Sequence, residues 1–112
     1  LTLPLSPYVV DADRVFVSGQ VGIEADGSIP DDLGRQIELA LDALERQLLA
    51  AGTTLAGVLK TTVVLVRGED FATMNELYAA RFGEPRPART TIVAGLVMPG
   101  LLFEIDAIAR RP

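Results

Sequence analysis

An α+β fold, with two helices laid on one face of a four- or five-stranded sheet, is what this sequence predicts. Three observations carry that expectation. Two segments repeat apolar residues at steps of three and four, several short segments are β-branched or alternate in polarity, and their order is strand, strand, helix, strand, helix, strand, strand. With 112 residues, 49% of them hydrophobic, the chain suits one compact domain over residues 1–112.

Val15 to Gln20 alternates Val15 and Val17 against Phe16, Ser18 and Gln20, as a half-buried strand does. Tyr8 to Val10 can pair with it as a hairpin through Asp11-Ala12-Asp13. Asp26-Gly27 marks a turn, and Pro30-Asp31-Asp32 supplies acidic groups suited to a helix N-terminus. From there Leu33, Ile37, Leu41, Leu44, Leu48 and Ala51 form one apolar stripe that Gly52 ends. Val58 to Val66 reads as an interior strand. Asp70 then caps a second helix with the stripe Phe71, Met74, Tyr78 and Phe82, stopped by Gly83, Pro85 and Pro87. Thr90 to Val93 and Leu101 to Ala109 complete the set as strands flanking a loop with Pro99-Gly100.

Two helices leave the other sheet face uncovered. Phe16, Val64, Val66, Leu102 and Ile108 share that face with Ser18, Thr62 and Glu104, a mixed surface that a homo-oligomer with inward-turned sheets would bury.

Composition narrows the chemistry. The chain has no cysteine and no histidine, so thiolate nucleophiles, disulfides, Ser-His arrangements and the usual zinc ligand sets are excluded. Carboxylates, arginines, Lys60, two tyrosines, Asn75 and hydroxyls remain. A net charge of −5 opposes a sequence-independent grip on nucleic acid. No apolar run is long enough to cross a membrane, and a cytoplasmic setting is expected by default.

Four features invite a functional reading, each with a plainer one beside it. Asn75 lies about 40° from Phe71 and about 60° from Tyr78 around its helix, inside the apolar stripe. It either bonds a neighbouring loop or faces a pocket. Arg89 opens an apolar strand, where a solvated edge cation is the ordinary outcome and a bidentate clamp on a substrate carboxylate the functional one. Glu104 and Asp106 point to one face of the last strand; if buried they need a partner, for which Arg89 is a candidate. As a Mg²⁺ or Ca²⁺ site the two are a weak signal. Gly19, in Ser18-Gly19-Gln20, marks a bulge or a close backbone approach.

Taken together, Ser6-Pro7-Tyr8, Phe16 to Gln20, Lys60 to Val63, Asp70 to Tyr78, Pro87 to Thr91 and Glu104 to Ala109 resemble the RidA/YjgF reactive-intermediate deaminase family. The segments match in order and spacing over essentially the whole chain. This resemblance implies a chorismate-mutase-like subunit with a mixed sheet, a homotrimer with clefts between subunits, and no cofactor. It also implies hydrolysis of 2-imino acids, such as 2-iminopropanoate and 2-iminobutanoate, and of enamines such as 2-aminoacrylate. Carried over by position, Arg89 clamps the substrate carboxylate and Glu104 holds or activates water. Gly19 and Thr91 offer backbone contacts, and Tyr8 and Asn75 line the cleft. Thr91 stands where the family often has cysteine. The competing expectations are a non-catalytic trimer that binds small carboxylates or a protein partner, and a ribonuclease, which the acidic charge opposes.

Overall fold

The computed structural model describes residues 2–112. A hairpin opens the chain: β1 (Tyr8–Asp11) turns through Ala12 and Asp13 into β2 (Arg14–Val21), antiparallel, with Tyr8 opposite Val17. Ala12 takes a left-handed φ of 54°, which a non-glycine residue adopts at a cost of roughly 1–2 kcal/mol. Both turn carbonyls are tied down from the far end of the chain, since the Arg111 side chain donates to Ala12 O and the Arg111 backbone N–H to Asp13 O.

The first helix, α1 (Leu33–Ala50), starts where Asp32 accepts a hydrogen bond from the Arg35 N–H at 2.8 Å, the N-cap that the acidic Pro30-Asp31-Asp32 segment predicts. Its stripe of Ile37, Leu41, Leu44 and Leu48 is fully buried. β3 (Val58–Leu65) follows, then α2 (Phe71–Arg81), β4 (Ala88–Val93) and β5 (Phe103–Arg110). The strand order is β1-β2-β5-β3-β4, so the last strand occupies the centre of the sheet. It runs antiparallel to both β2 and β3, while β4 pairs with β3 in parallel through the α2 crossover. The sheet is therefore mixed. Along β5, Phe103, Ile105, Ala107 and Ala109 are buried against the helices, and Glu104, Asp106 and Ile108 face the other way.

Gln36 belongs to the fold although nothing in its sequence neighbourhood marks it. Fully buried on α1, it donates to Pro30 O and Gly100 O and accepts from Leu102 N–H, each at 2.8 Å, so a side-chain amide ties the entry to β5 onto the first helix. Gly22 packs on the same turn, where a Cβ would fall 2.2 Å from Gln36 O and no larger residue fits.

Two expectations for α2 are corrected. Asp70 does not cap the helix with its side chain: a 3₁₀ turn over Gly68–Asp70 leads straight into α2, giving Asp70 helical dihedrals. An N-cap needs extended backbone, so the carboxylate turns to Arg67 instead, at 2.9 and 3.2 Å. Phe71 is not part of the buried stripe. It is 46% exposed, and the core is formed by Met74, Tyr78 and Phe82.

The uncovered sheet face carries the residues the alternation predicts except in β2, where the bulge after Val17 pairs Gln20 with the buried Ile105, turning it to the helix side and leaving Val21 on the open face. Phe16 pairs with Ile108, which pairs with Lys60, and Val21, Glu104 and Val64 form a second row. Phe16 and Ile108 are 43% and 36% exposed.

Candidate functional site

Arg89 pairs with Thr61 in the β3–β4 ladder, and Thr61 is fully buried toward the helices. The register therefore turns Arg89 inward to the helix side, although β4 is an edge strand. The solvated edge cation that spacing alone favours is not what forms. The guanidinium lies over the Tyr78 ring, 4.8 Å from its centroid, and 5.7 Å from that of Phe71. Nη1 also touches the Met74 sulfur at 3.9 Å. Beneath it, the buried Tyr78 hydroxyl shares a 2.8 Å hydrogen bond with Thr61 Oγ1. Burial raises the Tyr78 phenol above its ordinary pKa, with the Thr61 bond and the Arg89 charge pulling it partly back, so the ring stays neutral at physiological pH.

Arg14, Arg35, Arg67, Arg81 and Arg86 each have a carboxylate within ion-pair distance. Arg89 has none among the described residues. Aromatic faces and a thioether hold it in place without using up its forked donors, as an anion clamp requires. Arg89 lines a pocket of about 520 Å³ with Asn75, Tyr78, Ala79, Arg86 and Pro87. Asn75 is half-buried there, and its amide makes no hydrogen bond among the described residues. Thr91 lies two residues further along β4, opposite the buried Val63 and thus on the same side as Arg89. A larger cavity, about 650 Å³, opens beside Leu49, Thr53, Thr54 and Leu59, with Arg110 its one charged side chain.

Glu104 stands on the other face of the sheet. It pairs with Val64 and Val21, half-buried, and its carboxyl lies over Gly19: a Cβ there would come within 2.8 Å of Glu104 Cδ and 2.9 Å of Oε1. The β2–β5 register shifts between Val17 and Gln20, so Gly19 is both a bulge and a close approach. Burial pushes the Glu104 carboxyl above the usual carboxylate range, and the Asp106 charge adds to the rise. Asp106 itself accepts from the Thr62 N–H at 3.1 Å.

The expected pairing of Arg89 with Glu104 or Asp106 is overturned within the chain. β3 separates their strands, and the alternation of β4 and β5 sends them to opposite faces. Tyr8 is more distant still. It sits on β1, at the edge opposite β4, with its hydroxyl 3.4 Å from Ala50 O, and four strand spacings of ~4.8 Å place it roughly 19 Å across the sheet from Arg89. The chain thus gathers these residues in two separate groups: Arg89, Asn75 and Thr91 beside α2, and Glu104 with Gly19 on the open face. No group of three or more acidic residues able to hold a metal ion occurs among the described residues.

Sequence reasoning missed Tyr78 and Arg86 as pocket residues. A hydroxyl inside an apolar stripe was a usable signal for Tyr78. Arg86, between two prolines, had none.

The Endoribonuclease L-PSP family model matches residues 2–111. The mouse 2-iminobutanoate/2-iminopropanoate deaminase is 36% identical over 110 residues, which cover 94% of this chain and 82% of the mouse protein. Escherichia coli TdcF with bound serine superposes with a TM-score of 0.91 at 32% identity, covering 100% of this chain and 91% of TdcF. RidA of Psychrobacter sp. PAMC 21119 gives 0.92 at 29% identity, covering 98% and 90%. With the same mixed sheet and two helices, and a match that runs nearly end to end, the chain belongs to the Endoribonuclease L-PSP family, the RidA/YjgF proteins.

Proposed function

We propose that this protein hydrolyses 2-imino acids, and the enamines that tautomerise to them, to 2-oxo acids and ammonia without a cofactor. The observation that carries this reading is the unpaired Arg89 guanidinium, stacked on the Tyr78 platform at the mouth of a pocket. The relatives support it: the mouse protein is named as a deaminase of such imines, and the TdcF structure holds serine, a small molecule with a carboxylate.

The reaction asks little of the side chains. Water adds to the imine carbon, forming a C–O bond, and the C–N bond of the resulting carbinolamine breaks as a proton passes to nitrogen and ammonia leaves. No electron is gained or lost. Arg89 would orient the carboxylate, with Asn75 and backbone groups near Thr91 and Gly19 beside it. Glu104 would aim the water and carry its proton, a task its raised pKa suits by bringing its affinity for protons closer to neutrality. Products of pyridoxal-phosphate enzymes, released in the cytoplasm, are the substrates in this reading.

Because Arg89 and Glu104 lie on opposite faces of one sheet, the reading requires a second copy. A homotrimer with sheet faces turned inward would bury Phe16 and Ile108 and bring the Glu104 and Gly19 face of one subunit to the Arg89 pocket of the next. A sedimentation mass of one chain at micromolar concentration would contradict it. The direct test is the rate of 2-oxo acid release from enzymatically generated 2-iminopropanoate and 2-iminobutanoate. Losing charge-assisted bonds worth about 1.5–3 kcal/mol, Arg89→Ala is expected to slow it on the order of tenfold to a hundredfold or more. Acceleration that survives the substitution would remove Arg89 from the site.

A second reading, a binding module for small carboxylates or for a protein partner, is favoured by the serine bound to TdcF. It expects Arg89-dependent binding without turnover. Ribonuclease activity, the source of the family's name, is opposed by the net charge of −5 and would have to survive Arg89→Ala in stringently purified protein.

A further inference from the structure

The Arg89 pocket contains a second guanidinium that the imine chemistry above does not use. Arg86 lines the same cavity of about 520 Å³, three residues before Arg89 and separated from it by Pro87 and Ala88. That stretch spans at most about 10 Å from Cα to Cα, so both arginines start from one short segment at the pocket. Arg86 is weakly engaged elsewhere: the Glu84 carboxylate is 3.7 Å from its Nε, beyond hydrogen-bond distance, and Glu84 is 80% exposed. The Arg86 charge is felt inside the pocket, where it pulls on the Tyr78 phenol. No acidic side chain lines the cavity, so two cations and the free Asn75 amide share one opening in a protein whose net charge is −5. A monocarboxylate satisfies Arg89 and leaves Arg86 to water.

We infer that this pocket selects dicarboxylates, Arg89 holding the carboxylate next to the reacting carbon and Arg86 the acid on the substrate side chain. Resting on the deaminase reading, the preferred substrates are 2-imino dicarboxylates, hydrolysed with one water to a 2-oxo dicarboxylate and ammonia.

The test uses the intact oligomer in two arms. In the first, calorimetry compares 2-oxoglutarate with 2-oxobutanoate, stable product-like acids with two carboxylates and one. The dicarboxylate is expected to bind about fivefold to tenfold more tightly, a gap that Arg86→Gln closes without changing 2-oxobutanoate affinity and that shrinks as salt is raised. Equal affinities in the intact protein, or a gap that survives Arg86→Gln, overturn the inference. In the second, an amino-acid oxidase generates the imines of aspartate and alanine in situ. Arg86→Gln is expected to lower kcat/KM for the aspartate imine by a similar factor and to spare the alanine imine. An Arg86-dependent binding gap without turnover of either imine would keep the dicarboxylate selection and remove the deaminase reading. Turnover of both imines with no effect of Arg86→Gln would do the reverse.

Discussion

The two halves of the proposed site are built on opposite principles. On the α2 side, Arg89 rests on a ring whose hydroxyl is bonded inside the core, so its position is fixed by the packing of a single chain. On the open face, Glu104 is held by a gap: Gly19 has no side chain, and the carboxyl occupies the space. The first half is finished when the chain folds. The second lies among Phe16, Val64 and Ile108 on a surface that still lacks a cover, and its raised proton affinity comes from partial burial and a neighbouring acid. In the proposed reading the binding group is preorganised within one subunit, whereas the water-activating group gains from a face that assembly would seal.

That contrast can be broken at either end. The largest effect is expected from Glu104→Gln, which keeps the shape and removes the proton carrier. Turnover should fall roughly a hundredfold or more, read as 2-oxo acid release. Its stability effect runs the other way. A carboxyl whose folded pKa lies above its unfolded value stabilises the protein only while it remains protonated; that contribution is full below the unfolded pKa and is lost as pH rises through the folded one. Glu104→Gln should therefore raise Tm at pH 7 and give no advantage in acid below the unfolded pKa. A lower Tm at pH 7 would mean that the ionised carboxylate has a stabilising partner.

Removing the platform should have an intermediate effect. Tyr78→Leu takes away a cation–π contact of about 0.5–2 kcal/mol, and KM for the imine should rise about twofold to thirtyfold while kcat changes less. Tyr78→Phe keeps the ring but leaves the buried Thr61 hydroxyl unpaired, so it should lower stability by about 1–3 kcal/mol and largely spare KM. Equal KM values for the two variants would show that the ring does not position Arg89. The smallest effect belongs to Gly19→Ala, whose methyl would meet the flexible Glu104 carboxyl at 2.8 Å. Turnover should drop about threefold with little change in Tm, and a large Tm loss would make Gly19 a fold residue alone.

Much of this architecture was legible in the sequence. The α1 stripe and the alternation of β5 report local periodicity, and both place their buried residues correctly. The Asp32 cap follows from acidic residues at a helix start. What escaped depends on partners distant in sequence. The central position of β5 is a matter of pairing between residues 38 to 96 positions apart. Arg89 faces the pocket because Thr61 is its neighbour across the ladder, a register that no local pattern around Arg89 encodes. Asp70 looked like a cap because its residue type fits, but cap geometry is a backbone property. Taken singly, Arg89, Asn75, Glu104 and Gly19 each had a plainer reading beside the functional one; the ordered set of motifs tipped that balance, and their division between two faces needed the fold.

The central claim, that a working site joins the Arg89 half of one subunit to the Glu104 half of another, has a direct measurement. Arg89→Ala and Glu104→Gln proteins, each nearly inactive, are unfolded together, refolded as an equal mixture and assayed for imine hydrolysis. Sites shared between neighbours in a ring reunite one intact half from each variant in about a quarter of cases, so about a quarter of the unmodified activity should return. Mixed oligomers verified by mass, with no activity above the two parents, would contradict a shared site.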